Sequence, residues 1–422
     1  MTTSAREVDS ASGPARGQHG SKSGKTATVW SRGFALILIV NFLLSLAQYM
    51  TLAVVPVYAA SLGATALLIG IVTGIFAITA LGVRPFVGPA TFRFRHSLLL
   101  AVTAAIILGA FVCYALSPSV PVLILGRLLH GMGMGFLAPV ALAMASESLP
   151  RERMASGIGI FSLGQAVAMA AGPALGLALV GLIGYQGSFL AGAGIVAIAL
   201  ALSFAISSPP PVEKGPLKIT WARVVAREAL PAAVIIFFLA GAYSSVNSFL
   251  TVYAAGLGVP DIGLFFTTYA VAMLVSRPAA GRIADRFGLP AVVIPGMILF
   301  AVSFVLIASA RSLSAFIVAA IVSALGYGVC QPAIQSLALL SVKRERRGVA
   351  GSTNYMGVDL AYLVMPVLSG WIVSVFHASG DSTLSDAYSA MFLWMLLPVG
   401  IAFVAYIVVT IRARIRASRG NP

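Results

Sequence analysis

Ser276–Gly288 reads SRPAAGRIADRFG and lies between two long apolar runs. It holds three arginines and one aspartate where the neighbouring chain holds almost no charge. A degraded copy stands at Val83–Arg95, VRPFVGPATFRFR. Arg84, Pro85, Gly88, Arg93 and Phe94 return as Arg277, Pro278, Gly281, Arg286 and Phe287, each displaced by 193 residues. A charged hairpin recurring once per half-chain predicts two similar halves.

The repeat extends beyond the hairpin. Gly133, Gly135 and Pro139 match Gly326, Gly328 and Pro332 at the same displacement, and Gly164 and Pro173 match Gly357 and Pro366. Arg151-Glu152-Arg153 matches Arg344-Glu345-Arg346.

Composition identifies the solvent. The chain is 59% apolar and only 9% charged, against about 25% charged in soluble domains. A spanning helix needs about 20 mostly apolar residues. Twelve such runs occur: 33–60, 65–87, 97–117, 120–147, 154–181, 186–207, 229–256, 261–281, 289–310, 313–341, 349–375 and 387–411. The first run is too long for the apolar core of a signal peptide. The expected fold is an all-α membrane protein of 12 transmembrane helices in two pseudo-symmetric six-helix bundles. Residues 1–32 form a polar tail, 33–207 and 229–412 the bundles, and 413–422 a basic tail. The linker, 208–228, opens on three consecutive prolines and has room for a short interfacial helix at Ile219–Val225.

The net charge of +15 is a topology signal. With the N-terminus inside, cytoplasmic segments hold 25 of the 27 basic residues, leaving Arg311 outside and Arg127 within a span. Basic residues favour cytoplasmic loops, so both termini are expected in the cytoplasm and the protein in the plasma (cytoplasmic) membrane. Seven scattered basic segments form no single face for nucleic acid. Cys113 and Cys330 lie in apolar runs without metal or redox spacing.

Ionisable groups inside spans mark function, because each costs about 2.5–3.5 kcal/mol on insertion scales. Arg127 in span four and Asp359 in span eleven are the two clear cases. A carboxyl can take up a proton and an arginine cannot, so Asp359 is the expected proton carrier and Arg127 a permanent charge of the coupling machinery that contacts substrate, a backbone carbonyl or water; a structural polar contact between helices is the alternative for both. Polar residues recur at helical spacing: Asn41, Ser45 and Gln48; Tyr243, Asn247 and Thr251; Tyr327, Gln331 and Gln335; Tyr355, Asp359 and Tyr362. Arg127 and His130 share a face of span four. These side chains suit a substrate cavity and equally suit hydrogen bonding between helices. Gly131 and Gly135 allow close helix approach, and Gly172-Pro173 is expected to kink span five. Two parallel six-span repeats place a binding site between the halves near the midplane. The four histidines are scattered, and neither HExxH nor GxSxG occurs. No enzyme, metal site or organic cofactor is expected; the coupling ion is the proton.

The motifs resemble those of the major facilitator superfamily over about residues 33–412. Gly281-Arg282-Ile-Ala-Asp285-Arg286-Phe-Gly288 looks like its signature loop, and Arg127 followed by Gly131, Gly133 and Gly135 looks like its span-four motif. Gly172-Pro173-Ala-Leu-Gly176 resembles its antiporter motif. The chain departs from the pattern at Phe92, where the first-half loop needs aspartate, at Leu177, and at Ala320, the span-ten position equivalent to Arg127. The resemblance implies alternating access around a cavity lined by spans one, four, seven and ten. The expected unit is a monomer exporting a small molecule against protons, with an importer or symporter of a small metabolite such as a sugar as the alternative. It also implies a cytoplasmic gate built on Gly281, Arg282, Asp285 and Arg286, with Gly88 and Arg93 their first-half counterparts. Asp285 is expected to face the start of span five near Ala155–Gly157, where the exposed amides of a helix N-terminus stabilise a carboxylate by about 0.3–1 kcal/mol, with Arg151 and Arg153 adding ion pairs.

Overall fold

The computed structural model describes residues 30–150, 154–208, 225–343, 346–378 and 383–418. Every regular element among them is helical. The first half comprises α1 (Arg32–Ser61), α2 (Ala66–Gly74), α3 (Phe76–Arg93), α4 (His96–Ala115), α5 (Val120–Glu147) and α6 (Met154–Ser203). The second comprises α7 (Leu230–Gly256), α8 (Gly263–Phe287), α9 (Pro290–Ser309), α10 (Leu313–Leu340), α11 (Arg347–Ala378), α12 (Leu384–Trp394) and α13 (Leu396–Ser418).

Local chemistry sets the helix ends. The Ser31 side chain accepts from the Phe34 amide at 3.1 Å and opens α1, as an N-cap should. Thr383 and Asp386 form a reciprocal capping box at the start of α12. Proline at the first turn starts α5, α7 and α9, where its missing N–H leaves no bond unmade.

Ten stretches among the described residues are long and apolar enough to cross a membrane. One, Ile160–Ser203, has 44 residues, or about 66 Å of helix against about 30 Å of hydrocarbon. Gly184, at φ 73°, breaks its helical backbone, so α6 supplies two crossings. The charged helix α8 lies outside the ten and supplies another. Twelve crossings are consistent with this arrangement. The dihedral break in α6 falls at Gly184, in the connection expected between spans five and six, and Pro173 lies inside the helix before it. Spans two and twelve are each divided, at Ile75 and Met395.

The charged hairpin is smaller than expected. Helix α8 runs through Asp285 to Phe287, and the chain turns on Gly288, whose φ is 84°. Ala279, Ala280, Arg282 and Ala284 are good helix formers, so the motif ends a helix and does not interrupt one. Likewise α13 continues through most of the expected basic tail to Ser418. The N-terminal tail, most of the linker with its expected interfacial helix, Arg151 and Arg153 lie outside the described residues.

The halves meet closely at the face away from the chain termini, called here the far face. A Cβ on Gly70 would lie 2.2 Å from the Pro366 carbonyl oxygen, one on Gly74 2.8 Å from that of Leu363, and one on Gly370 2.3 Å from that of Ala66. Helices α2 and α11 thus touch backbone to backbone. Helices α6 and α8 do the same, with Gly263 against Ala174 and Thr267 Oγ1 donating to the Ala170 carbonyl at 2.6 Å.

Candidate functional site

Arg84 and Asp359 meet between the halves. Arg84 Nε and Nη2 donate to the two carboxylate oxygens of Asp359, the second at 3.0 Å. Nine residues separate Arg84 from the end of α3, about 14 Å of helix. Arg84 was expected at the hairpin; it sits at membrane depth. The Tyr355 ring lies under its guanidinium, 5.5 Å from Cζ. The two paired side chains are 23% and 15% exposed, and Tyr355 is 43% exposed. With the far face packed shut, this exposure reaches the space between the halves from the terminal face.

Arg277, the repeat equivalent of Arg84, makes no such pair. Its Nε donates to the Gly328 carbonyl at 3.1 Å and its Nη2 to Gln331 Oε1 at 3.2 Å, both on α10. Its side chain is exposed. Arg84 thus joins α3 to α11 across the halves, and Arg277 joins α8 to α10 within one half.

Arg127 is placed elsewhere. Its Nε and Nη2 donate to the carbonyls of Val72 and Thr73 at 3.1 and 2.9 Å, and its guanidinium stacks 4.7 Å over Phe76. These are carbonyls at the break between α2 and α3, and the side chain is 3% exposed. Arg127 therefore braces a broken helix inside the first half and does not reach Asp359. His130 is fully buried with Phe76, Phe111 and Tyr114 around its ring and Nδ1 3.1 Å from the Tyr114 hydroxyl. Its surroundings are the interior of the first half, not the space between the halves.

The second-half stripes form an aromatic stack. Tyr243 lies between Tyr269 and Tyr327, with ring centroids at 5.0 and 4.5 Å. Asn247 Nδ2 donates to the Tyr362 hydroxyl at 2.9 Å. Tyr243 and Tyr327 are closed off from solvent. In α1, Asn41 is fully buried and neither of its amide atoms has a protein partner, and Gln48 Oε1 is also buried and unpaired. Gln335 is half-buried. Gly172 and Gly176 are contact points with α1: a Cβ on Gly172 would lie 2.5 Å from Tyr49 Cβ, and one on Gly176 3.0 Å from the Met50 carbonyl oxygen.

Two matches to one transporter family model cover residues 37–262 and 232–422, and its description is Major Facilitator Superfamily. The chain belongs to the Major Facilitator Superfamily. It is an integral membrane transporter of that superfamily. It is similar to the staphylopine export protein of Staphylococcus aureus, 25% identical over 60% of this chain and 66% of that one. It is similar to the multidrug resistance protein MdtG of Enterobacter lignolyticus, 25% identical over 80% of this chain and 85% of that one. Its fold resembles a bacterial homologue of the human lysosomal transporter Spinster, with TM-score 0.75, 15% identity and coverage of 89% and 95%.

The superfamily's signature residues Gly281, Arg282, Asp285 and Arg286 lie exposed along the last turns of α8, and Arg93 is exposed at the end of α3, a helix that also contains Gly88. Arg282 Nε returns to the Pro278 carbonyl at 3.3 Å, and Arg286 lies 5.1 Å over Phe287. Arg84 and Arg277 were not legible as site residues. A signal was present: both arginines fall inside the apolar runs they terminate.

Proposed function

We propose that the protein is a proton-coupled exporter of a small molecule, with its termini on the cytoplasmic side of the plasma membrane. The ion pair between Arg84 and Asp359 carries this reading. Opening the far face requires α2 and its continuation α3 to separate from α11, which pulls the pair apart. Removing one partner from a buried pair costs about 3–5 kcal/mol, because the other charge is left uncompensated. The empty, deprotonated carrier is therefore held in the present state. A proton on Asp359, or a substrate group that replaces one partner, releases it. A carrier that moves only when loaded is what exchange of protons for substrate requires. The export name of one relative, the staphylopine export protein, supports the direction, and the basic bias toward the terminal face supports the cytoplasmic placement of the termini.

The test is proton movement in reconstituted vesicles of defined orientation during substrate transport. Protons moving opposite to substrate, with pH-driven transport lost in Asp359→Asn while substrate exchange persists, is the expected result. Protons moving with substrate would establish the symport alternative. An unchanged response in Asp359→Asn would remove the pair from the coupling mechanism.

A further inference from the structure

We infer that Arg277 is an anion-recognising residue of the inter-half site, and that the transported substrate carries a carboxylate on an aromatic or apolar body. The inference rests on the site proposed above and adds its substrate class.

Charge balance at membrane depth comes first. The chain has twelve acidic residues. Among the described residues Asp359 is the one set deep inside a helix; Glu147, Glu228, Asp261, Asp285 and Asp386 fall at helix ends or in loops. Arg84 and Arg277 lie well inside α3 and α8 from their terminal-face ends, and Arg127 lies inside α5 from its far-face end. Asp359 balances only Arg84. Among the described residues the ion pairs are Arg84–Asp359, His96–Glu147 and Glu228–Arg346, and none includes Arg277. Arg127 is closed in by carbonyls and Phe76. Among the described residues, Arg277 is the exposed arginine set well inside a helix that has no ion-pair partner.

Its position gives the charge a use. Arg277 is ten residues from the end of α8, about 15 Å of helix. On α8, positions 263, 267, 270, 274 and 277 follow helical spacing along one side. The first two pack against α6 of the other half, so Arg277 continues the side that faces across the interface. Its two hydrogen bonds go to neutral oxygens, the Gly328 carbonyl and the Gln331 side chain. These orient the guanidinium without neutralising it. A cation at this depth is costly unless paired, and a planar fork matches a carboxylate. The aromatic surroundings define the rest of the ligand. Tyr355 lies exposed beside Arg84, and Gly328, whose carbonyl accepts from Arg277, packs near the Tyr269 hydroxyl, 3.5 Å from its ideal Cβ position. The repeat sharpens the assignment: Arg84 and Arg277 descend from one motif, and only Arg84 received an acid opposite it.

The experiment measures binding of three ligands of one shape, naphthoate, naphthamide and naphthylmethylammonium, to the purified full-length protein by calorimetry at one pH without a gradient. Naphthoate is expected to bind about tenfold or more tighter than the other two, as a charge-assisted contact implies. Arg277→Gln should bring naphthoate to the level of naphthamide while naphthamide binding stays. Arg277→Lys should keep a reduced preference, because it keeps the charge and loses the fork. Failure of naphthoate to bind, a wild-type ranking without the carboxylate preference, or a preference that survives Arg277→Gln would overturn the inference. Loss of naphthamide binding in a variant that still melts like wild type would also overturn it. If Arg277→Gln does not fold, the wild-type ranking and Arg277→Lys decide. No proton flux enters these measurements. A carboxylate preference without proton coupling would sink only the coupling reading, and coupling without the preference would sink only this one.

Discussion

Arg84 and Asp359 are 275 residues apart in the chain, and their side chains join the two halves through a two-pronged ion pair. The equivalent arginine of the second half, Arg277, donates to neutral oxygens within its own half. The repeat is thus symmetric in backbone and asymmetric in charge.

Charge reversal should test the pair itself. Arg84→Asp and Asp359→Arg are each expected to abolish transport driven by a pH gradient. Combined, they restore the opposed charges and should recover part of it. Double-mutant analysis of initial rates in vesicles checks the coupling energy, which should exceed about 0.5 kcal/mol for residues in contact.

Closure of the far face should depend on its glycines. Gly70→Ala places a methyl group where the Pro366 carbonyl oxygen lies, 2.2 Å from the ideal Cβ position. Overpacking costs about 1–3 kcal/mol, which favours the state with the far face open. Spin labels at Thr65 and His377, exposed on opposite halves, should report longer distances in Gly70→Ala and Gly370→Ala. Gly109→Ala, with open space around its Cβ position, should leave the distances unchanged.

Arg127 should act on stability more than on coupling. Arg127→Gln cannot reproduce its fork, and a buried carbonyl left without a donor costs about 1–3 kcal/mol. A lowered melting temperature in detergent is expected, with the proton response of the surviving protein retained. Loss of coupling at unchanged stability would contradict the bracing role.

His130 should be silent in the pH profile of transport. It is enclosed by Phe76, Phe111 and Tyr114 and faces the interior of one half. His130→Gln is expected to preserve the pH dependence, read from rates across neutral pH, while weakening local packing.

Much of the fold was legible because its signals are local. Apolar length, the displacement of 193 residues, helix-starting prolines and turn glycines act on neighbouring residues. The helices follow them with shifts of a few positions. The site was less legible, because tertiary contact chooses among partners that a local cue leaves open. Arg127 reads as a permanent charge for substrate, a carbonyl or water, and the break at Ile75 supplies the carbonyls. Arg84 reads as part of a charged hairpin, and the packing of α3 against α11 sets it opposite Asp359.

The sequence by itself determined that this chain is a helical membrane protein of two repeated halves, because hydrophobicity and periodicity are summed along the chain and need no knowledge of neighbours. It also singled out Asp359, since an acid within an apolar run is visible as such. Only the tertiary structure decided that Arg84 is its partner, that Arg127 and His130 belong to the interior of one half, and that Arg277 is left uncompensated. Charges find partners through space, and the packing of the halves brings residues from distant stretches of chain within hydrogen-bond range.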